Sequence, residues 1–281
     1  MPLIIKHSQD VISARSNPLL VRICKLEEKK HREAEGLFRL DGIKLLLEAI
    51  DFGADVEYIF VREDSYERIM NTVSEYLGER SVTLGGTLVR VGLSAFEKMS
   101  NEKSPEGVIT VAKYIDKNHK IGKIENNGVF SKDERIIMLE SVRDPGNLGT
   151  MLRTAAAFGF SRVIMSEDCA DIYNPKVVRA AMGAIFKLSC IKTPSIIEAI
   201  AYLRKNGRRV LATALDKNAI RLEQMALKKS DVFLIGNEGH GLSDAAVSAS
   251  DSCVFIPMAE GTESLNASIA ASVCMWEMSK L

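Results

Sequence analysis

The sequence predicts an α/β protein of two domains, with a mostly parallel sheet in the larger one. Three observations carry this. The 281 residues, 46% apolar and 26% charged, suffice for two separate cores of ordinary globular composition. Helical and strand-like stretches alternate on both sides of a polar, Gly/Asn-bearing segment. From residue 135 onward the strand candidates are continuous apolar runs, the pattern of strands covered on both faces. A smaller α/β domain is expected over residues 1–113, a linker over 114–134 and the larger domain over 135–281.

In the first domain, "RSNPLLVRICKLEEKKHREAE" (15–35) reads as a charged amphipathic helix after Pro18, with Leu19, Ile23 and Leu26 as its buried stripe. Its mixed charge fits a solvated face, with RNA contact as the alternative. "GIKLLLEAIDFG" is a second helix stopped near Gly53, "VEYIFV" a strand, "SYERIMNTVSEYLG" a helix and "SPEGVITVAKY" a closing strand. In the second domain, "RIIMLES", "RVIMS", "RRVLATAL", "DVFLIG" and "DSCVFIP" are strands. Helices are expected at 147–158, 174–187, 195–205 and 264–279. Parallel sheets bind ligands in loops beyond the strand C-termini, which singles out the loops after "MLES", "FLIG" and "VFIP".

Composition narrows the function classes. Lys plus Arg and Asp plus Glu both number 37, so a nucleic-acid binder of this charge needs a local basic patch. Five scattered cysteines without a CxxC pair point to reduced thiols and a cytoplasmic protein. Four histidines without paired spacing argue against a metal site. "MPLIIKHSQD" is too short in its apolar run for a signal peptide, and no stretch approaches the ~20 apolar residues of a membrane span.

The first loop is "RDPGNLGTMLRTAAAFG" (143–159). Pro145-Gly146 turns the chain, Asn147 is the expected N-cap, Leu148, Met151, Leu152 and Ala155 form the buried stripe, and Gly159 is the stop. No Walker Lys-Ser/Thr follows, which disfavours a nucleotide hydrolase. Arg153 lies off the stripe, one turn from Gly149 and Ala157. Helical side chains lean toward the N-terminus, so its cation is aimed at the free N–H groups of the first turn, a place for a phosphodiester or a developing oxyanion. A surface Arg with an acidic neighbour remains the open alternative.

The second loop, "FLIGNEGHGLS", reverses the glycine order of the dinucleotide fingerprint, and the next strand ends without the acid a ribose would need. A nicotinamide cofactor is therefore disfavoured, although the glycines permit close backbone approach to a flat ligand. Glu238 is either a partner of Arg153 or a solvent-facing turn acid, and His240 reads as a loop residue. In the third loop, "IPMAEGTESLNASIAASVCMWEM", Thr262 or Ser264 is expected to cap the last helix. Leu265, Ile269, Val273 and Trp276 are its expected buried stripe, and Ala267, Ser268, Ala270, Ala271 and Ser272 permit close packing. Ser264 as a cap and Asn266 as a first-turn hydrogen-bonder are readings that spacing leaves open.

Together and in this order, "DPGNLGTMLRTAAAFG", "IGNEGHGLS" and "IPMAEGTESLNASIAASV" resemble the three motifs of the SpoU (TrmH-like) RNA ribose methyltransferases of the SPOUT superfamily. "LFRLDGIKLLLEAIDFG" and "SPEGVITVAKY" resemble that family's RNA substrate-binding domain more weakly. The resemblance spans roughly residues 15–113 and 135–281. It implies a C-terminal segment tucked through a loop as a trefoil knot, S-adenosylmethionine as cofactor, and a homodimer with its site near the subunit interface. By motif position the implied cofactor contacts are Thr213, Ala214, Leu215, Gly236, Asn237, Ile256, Pro257, Met258, Leu265 and Ala267. The implied catalytic set is Arg153, Asn147, Glu238, Ser264 and Asn266. Two departures are Asp41, where many members carry Glu, and Ala181, where Ser is frequent.

The implied reaction is methyl transfer to a ribose 2′-hydroxyl, with large-subunit (23S) rRNA as the expected substrate and tRNA as an alternative. A guanidinium with a pKa of roughly 12.5–13.8 is a poor base, so Arg153 is expected to steady an alkoxide rather than abstract its proton. Glu238 would hold the Arg and Asn147 would position the nucleotide. Base methylation by a related knotted family and a non-catalytic RNA-binding module on the same fold are the rival readings.

Overall fold

A computed structural model of the chain describes residues 3–100, 102–115, 130–131, 133–261 and 264–281. Most of the expected linker, residues 116–129 and 132, and the proposed cap Thr262 lie outside the described residues. The chain divides into two compact units, Met1–Ile115 with Tyr173–Phe186, and Asp116–Ile172 with Lys187–Leu281. The segment Tyr173–Phe186, which the sequence reading places inside the second domain, thus groups with the first unit.

The first unit is built on a five-stranded sheet. Its strands are β1 (Leu3–His7), β2 (Leu37–Asp41), β3 (Val56–Arg62), β4 (Val82–Val91) and β5 (Val108–Lys113), in the order β1-β4-β3-β5-β2. β1 and β3 run parallel to β4, while β5 is antiparallel to β3 and β2. Alternation along β3 sends Ile59 and Val61 to one face and Phe60 to the other. The first face packs on α3 (Ile43–Asp51) and α4 (Tyr66–Leu77), and the second on α1 (Pro18–Cys24) and α5 (Leu93–Met99). β4 escapes sequence reading because Gly85-Gly86 interrupts its pattern. Gly86 is needed there, since a Cβ would lie 2.4 Å from the Val56 carbonyl oxygen.

The long helix expected over 15–35 is broken into α1, a 3₁₀ turn at Lys25–Glu27 and α2 (Lys29–Glu35). The buried Arg32 donates from Nη1 to the carbonyls of Leu26 (2.8 Å) and Glu27 (2.7 Å) and so satisfies the break. The buried stripe contains Leu20, Ile23 and Leu26, with Leu19 only half-buried. Within this unit the helix expected at 174–187 is α7 (Pro175–Ala181). It ends at Met182 (φ 49) and Gly183 (φ 87), and a 3₁₀ turn at Ala184–Phe186 follows. Tyr173 stacks on Tyr114 (3.9 Å) and lies against Phe38 (4.8 Å), and Arg179 reaches Asp41 (3.4 Å).

The second unit is built on seven strands, all paired in parallel. They are β6 (Ile136–Leu139), β7 (Arg162–Ser166), β8 (Ser189–Thr193), β9 (Val210–Thr213), β10 (Ile220–Arg221), β11 (Val232–Ile235) and β12 (Ser252–Phe255), in the order β10-β12-β9-β11-β6-β7-β8. α8 (Ile196–Lys205) and α9 (Asp244–Ala249) cover one face through Ile196, Ile200, Leu203 and Ala246. α6 (Pro145–Ala157) and α10 (Ala267–Ser279) pack against each other, and α10 also meets β11. The short β8, β10 and α9 were not anticipated.

α10 corrects the sequence reading. Its N-cap is Asn266, whose Oδ1 accepts from the Ser268 (2.9 Å) and Ile269 (3.3 Å) amides; Ser264 is exposed and lies before the helix. The buried side is Ala267, Ser268, Ala271, Cys274, Met275 and Met278, whereas Leu265, Ile269 and Trp276 are exposed. The helix is apolar all round, so periodicity cannot say which stripe turns inward. The side turned inward, small at its start and carrying Met275 and Met278 further on, is the one set by packing against α6 and β11.

Candidate active site

β12, β9, β11 and β6 are adjacent and parallel, so the loops leaving their C-terminal ends gather on one side of the sheet. There the loops after β9, β11 and β12 line an open-mouthed cavity of about 460 Å³, within the range of small-molecule sites. Of the cofactor contacts implied by the resemblance, Thr213, Ala214, Leu215, Gly236, Asn237, Ile256, Met258, Leu265 and Ala267 line it, and Pro257 does not. Glu238 and Ser264 also line it.

The walls have distinct chemistry. Thr213 at the end of β9 donates to the Leu234 carbonyl (2.9 Å), and the Ala214 amide donates to the Val254 carbonyl (3.1 Å), which pins this loop to both neighbouring strands. Gly236 follows β11 where the backbone doubles back; a Cβ there would lie 2.4 Å from the Gly241 carbonyl carbon and 2.5 Å from the Leu242 nitrogen. Asn237 and Gly241 exchange two backbone hydrogen bonds of 3.0 Å. Gly241 closes that turn with φ 69, where a side chain would be strained. Leu222, Val247 and Val254 add apolar wall. Cys274 lines the floor, and burial pushes its thiol up to about 12, so it is a neutral wall group rather than a nucleophile. Asp216 and His240 also face the cavity. Sequence reading missed Asp216 altogether, and a polar residue just beyond a parallel strand's C-terminus was the available signal.

α6 begins one residue pair earlier than expected, at Pro145. Asp144, not Asn147, is the N-cap: its Oδ1 accepts from the Asn147 amide at 2.7 Å. That frees the Asn147 side chain. Asn147 donates through Nδ2 to Glu238 Oε1 (3.0 Å), and Asn266 donates through Nδ2 to Asn147 Oδ1 (3.0 Å). One polar chain, Asn266–Asn147–Glu238, therefore links residues 119 and 91 positions apart and joins all three loops. Thr154 and Ser272 hydroxyls lie 3.3 Å apart behind it.

Arg153 is exposed, and among the described residues it makes no ion pair or hydrogen bond. The expected Arg153–Glu238 pair is not formed, because both Glu238 oxygens are engaged by amides, Oε1 by Asn147 and Oε2 by Asn237 (3.3 Å). Leu148, Met151, Leu152 and Ala155 are all buried beneath α6, which leaves Arg153 on its solvent side. The arrangement offers an apolar-and-amide cavity with a fixed carboxylate at its edge, and α6 of the same unit carries an exposed, uncommitted cation.

The chain matches the profile of the SpoU rRNA Methylase family over residues 134–276 and that of the MRM3-like substrate binding domain over residues 17–110. It is 26% identical over 256 residues to the 23S rRNA (guanosine(2553)-2′-O)-methyltransferase RlmP of Bacillus subtilis (strain 168), covering 90% of this chain and 93% of that protein. It is 27% identical over 256 residues to the 23S rRNA (uridine(2479)-2′-O)-methyltransferase of Streptomyces viridochromogenes, covering 90% and 85%. The fold superposes on an AdoMet-bound rRNA methyltransferase from Sinorhizobium meliloti with a TM-score of 0.80 at 25% identity, covering 100% of this chain and 98% of that one.

Proposed function

The chain belongs to the SpoU rRNA methylase family, and from that premise we propose that it methylates a ribose 2′-hydroxyl of large-subunit ribosomal RNA, using S-adenosylmethionine. The observation that carries this is the Asn266–Asn147–Glu238 chain at the edge of the cavity, three motif side chains drawn into one hydrogen-bonded unit. The relatives whose names specify 23S rRNA ribose methylation, matched along about nine-tenths of this chain, support the substrate class.

The residues present fit the cofactor. The cavity has the volume of a nucleoside-sized site, its apolar wall suits a flat base, and the turn at Gly236, too tight for a side chain, holds the loop backbone at the cavity wall. Thr213, Ala214, Leu215, Gly236, Asn237, Ile256, Met258, Leu265 and Ala267 would hold it. S-adenosylmethionine supplies a sulfonium-bound methyl whose leaving group needs no acid. The protein's task is then to orient the 2′-oxygen and ease loss of its proton. Arg153 serves as an electrostatic clamp that favours the alkoxide, its exposed and unpaired state leaving it available to RNA. Asn147, fixed between Glu238 and Asn266, orients the nucleotide, and Ser264 borders the same opening.

The active form is a homodimer in this reading. α10 exposes Ile269 (50%) and Trp276 (51%), and Trp276 lies 5.5 Å from Phe158 at the end of α6. A second copy is the occupant, since covering this face would exclude water beside α6, where Arg153 stands. Trp276→Glu should halve the mass seen by sedimentation; an unchanged mass would count against the dimer. The trefoil knot belongs to the same reading, supported by the position of β11 between β9 and β6 and by the backbone reversal at Gly236. So does action in the cytoplasm, in keeping with five cysteines that are all free thiols.

The deciding experiment is methyl transfer to rRNA in vitro followed by nuclease mapping, because a 2′-O-methyl blocks cleavage at its linkage. Methylation of a base, or of tRNA in preference to rRNA, would overturn the proposal.

A further inference from the structure

The turn leaving β6 carries an unusual backbone. Ser141 has φ 57, and with Met182 it is one of two non-glycine residues in the left-handed region among the described residues. Such a conformation persists where its surroundings enforce it. Here all three polar groups of Ser141 are engaged. Its N–H donates to Ser166 Oγ (2.8 Å), its hydroxyl to Asp168 Oδ2 (2.7 Å), and its carbonyl accepts from Asn237 Nδ2 (2.7 Å).

Two sides of the molecule meet at this residue. Behind it, on the loop after β7, Asp168 also accepts from Ser166 Oγ (2.6 Å) and from Arg143 Nη2 (2.8 Å). Burial alone would raise this carboxyl, but the bonds from Ser166, Arg143 and Ser141 hold it at about 2, so it stays charged at neutral pH. In front of it, the Asn237 amide that reaches the Ser141 carbonyl also reaches Glu238 Oε2 (3.3 Å). Asn237 Oδ1 takes the amides of Gly239 (2.8 Å) and His240 (3.3 Å). Neighbouring Glu140 holds the far end of the same loop, accepting from the Ser243 amide (2.9 Å) and hydroxyl (2.8 Å).

We infer that Ser141, clamped left-handed by Ser166 and Asp168, is a positioning residue for methyl transfer: its carbonyl sets the Asn237 amide, and through it the Glu238 carboxylate that Asn147 grips. The direction of a peptide carbonyl follows the backbone angles of its own residue. If residue 141 returned to negative φ, the carbonyl would swing away from Asn237. The amide would then lose the acceptor that fixes its rotation, and with it the hold on the Gly239 and His240 amides. Glu238 would keep its charge and lose its place. Glu140, Ser141, Arg143 and Asp168 lie outside the hydrophobic core, Arg143 and Asp168 with side chains 62% and 42% exposed. The clamp therefore shapes the site more than it holds the fold together.

The inference rests on the methyltransferase reading, and its test separates the two. Ser141→Val cannot easily adopt the left-handed turn and lacks the hydroxyl, whereas Ser141→Gly regains the turn without the hydroxyl. Asp168→Ala removes the clamp, and Asp168→Asn keeps an acceptor for Ser141. Steady-state methylation of rRNA, with melting curves for each variant, should show kcat for Ser141→Val and Asp168→Ala reduced about 10- to 100-fold, as misplacement near 1 Å can do. KM for RNA should stay within about twofold, the mark of an interaction felt in the reacting state. Ser141→Gly and Asp168→Asn should recover most of the rate. Wild-type kcat in Ser141→Val, or a glycine variant as slow as the valine one, would overturn the inference. So would a loss that tracks melting temperature alone. A wild-type protein that transfers no methyl would remove the functional reading itself, while a wild-type that transfers beside indifferent variants would remove only this inference.

Discussion

Arg39 and Arg153 carry the same guanidinium in opposite circumstances. Arg39, on β2 of the first unit, is 1% exposed and commits Nη1 to Glu27 (2.9 Å) and Nη2 to Asp41 (2.9 Å) and the Met99 carbonyl (2.8 Å), with Nε buried and unpaired. Arg153, on α6 of the second unit, is exposed and has no partner among the described residues. A cation whose bonds are all internal stabilises a fold. One left in water, at no desolvation cost, is available to a ligand. The contrast extends to the loops around them. In the first unit the charged side chains of Arg32, Arg39 and Asp41 close breaks and strand ends, while in the second unit Asn147, Asn237 and Glu238 are tied to one another at an open edge.

Substitution at Arg39 should have the largest effect. Arg39→Leu leaves Asp41 with Arg179 alone and the partly exposed Glu27 without its partner, and should cost about 3 kcal/mol of stability, read from chemical denaturation. Arg153→Ala should leave the denaturation curve unmoved and lower methyl transfer by ~10²–10³, with cofactor affinity by calorimetry nearly unchanged. If the two outcomes were exchanged, the distinction between a structural and a functional guanidinium would fall. Gly236→Ala probes the backbone of the second unit instead. A Cβ 2.4 Å from backbone must displace the loop, so a cost of about 1–3 kcal/mol is expected, appearing chiefly as weaker cofactor binding.

The smallest expected effect is in acid. The Asp168 carboxyl titrates at about 2 in the fold against 3.8 for the free group. Its contribution to stability is therefore complete above about pH 4 and fades as the pH falls toward 2. The melting temperatures of the wild-type protein and Asp168→Asn should draw together across that window and differ by a constant amount above it. A gap that widened in acid would reverse the sign assigned to this group.

Much of the molecule was legible before folding. The strands β6, β7, β9, β11 and β12 carry apolar runs, and the full burial of β6 and β11 fits the parallel sheet expected of them. The three loops that the Asn266–Asn147–Glu238 chain joins were marked by Gly, Pro and Asn at strand ends, because those residues permit turns and close approach. Less legible were elements whose patterns are broken or too short, such as β4 with its double glycine, or the charged helix broken at Lys25–Glu28, whose free carbonyls Arg32 satisfies. Asp144 and Asn147 were confused as caps, since both residue types serve and they stand only three apart.

The α/β class, the parallel sheet and the three loops with their chemistry were thus written in the sequence, since hydrophobic period and turn residues are local properties of the chain. Only folding settled which stripe of α10 faces inward, which amide claims Glu238, and that Arg153 stands unpaired. Those outcomes depend on packing and hydrogen-bond competition among residues some hundred positions apart, and no local pattern encodes the winner of such a competition.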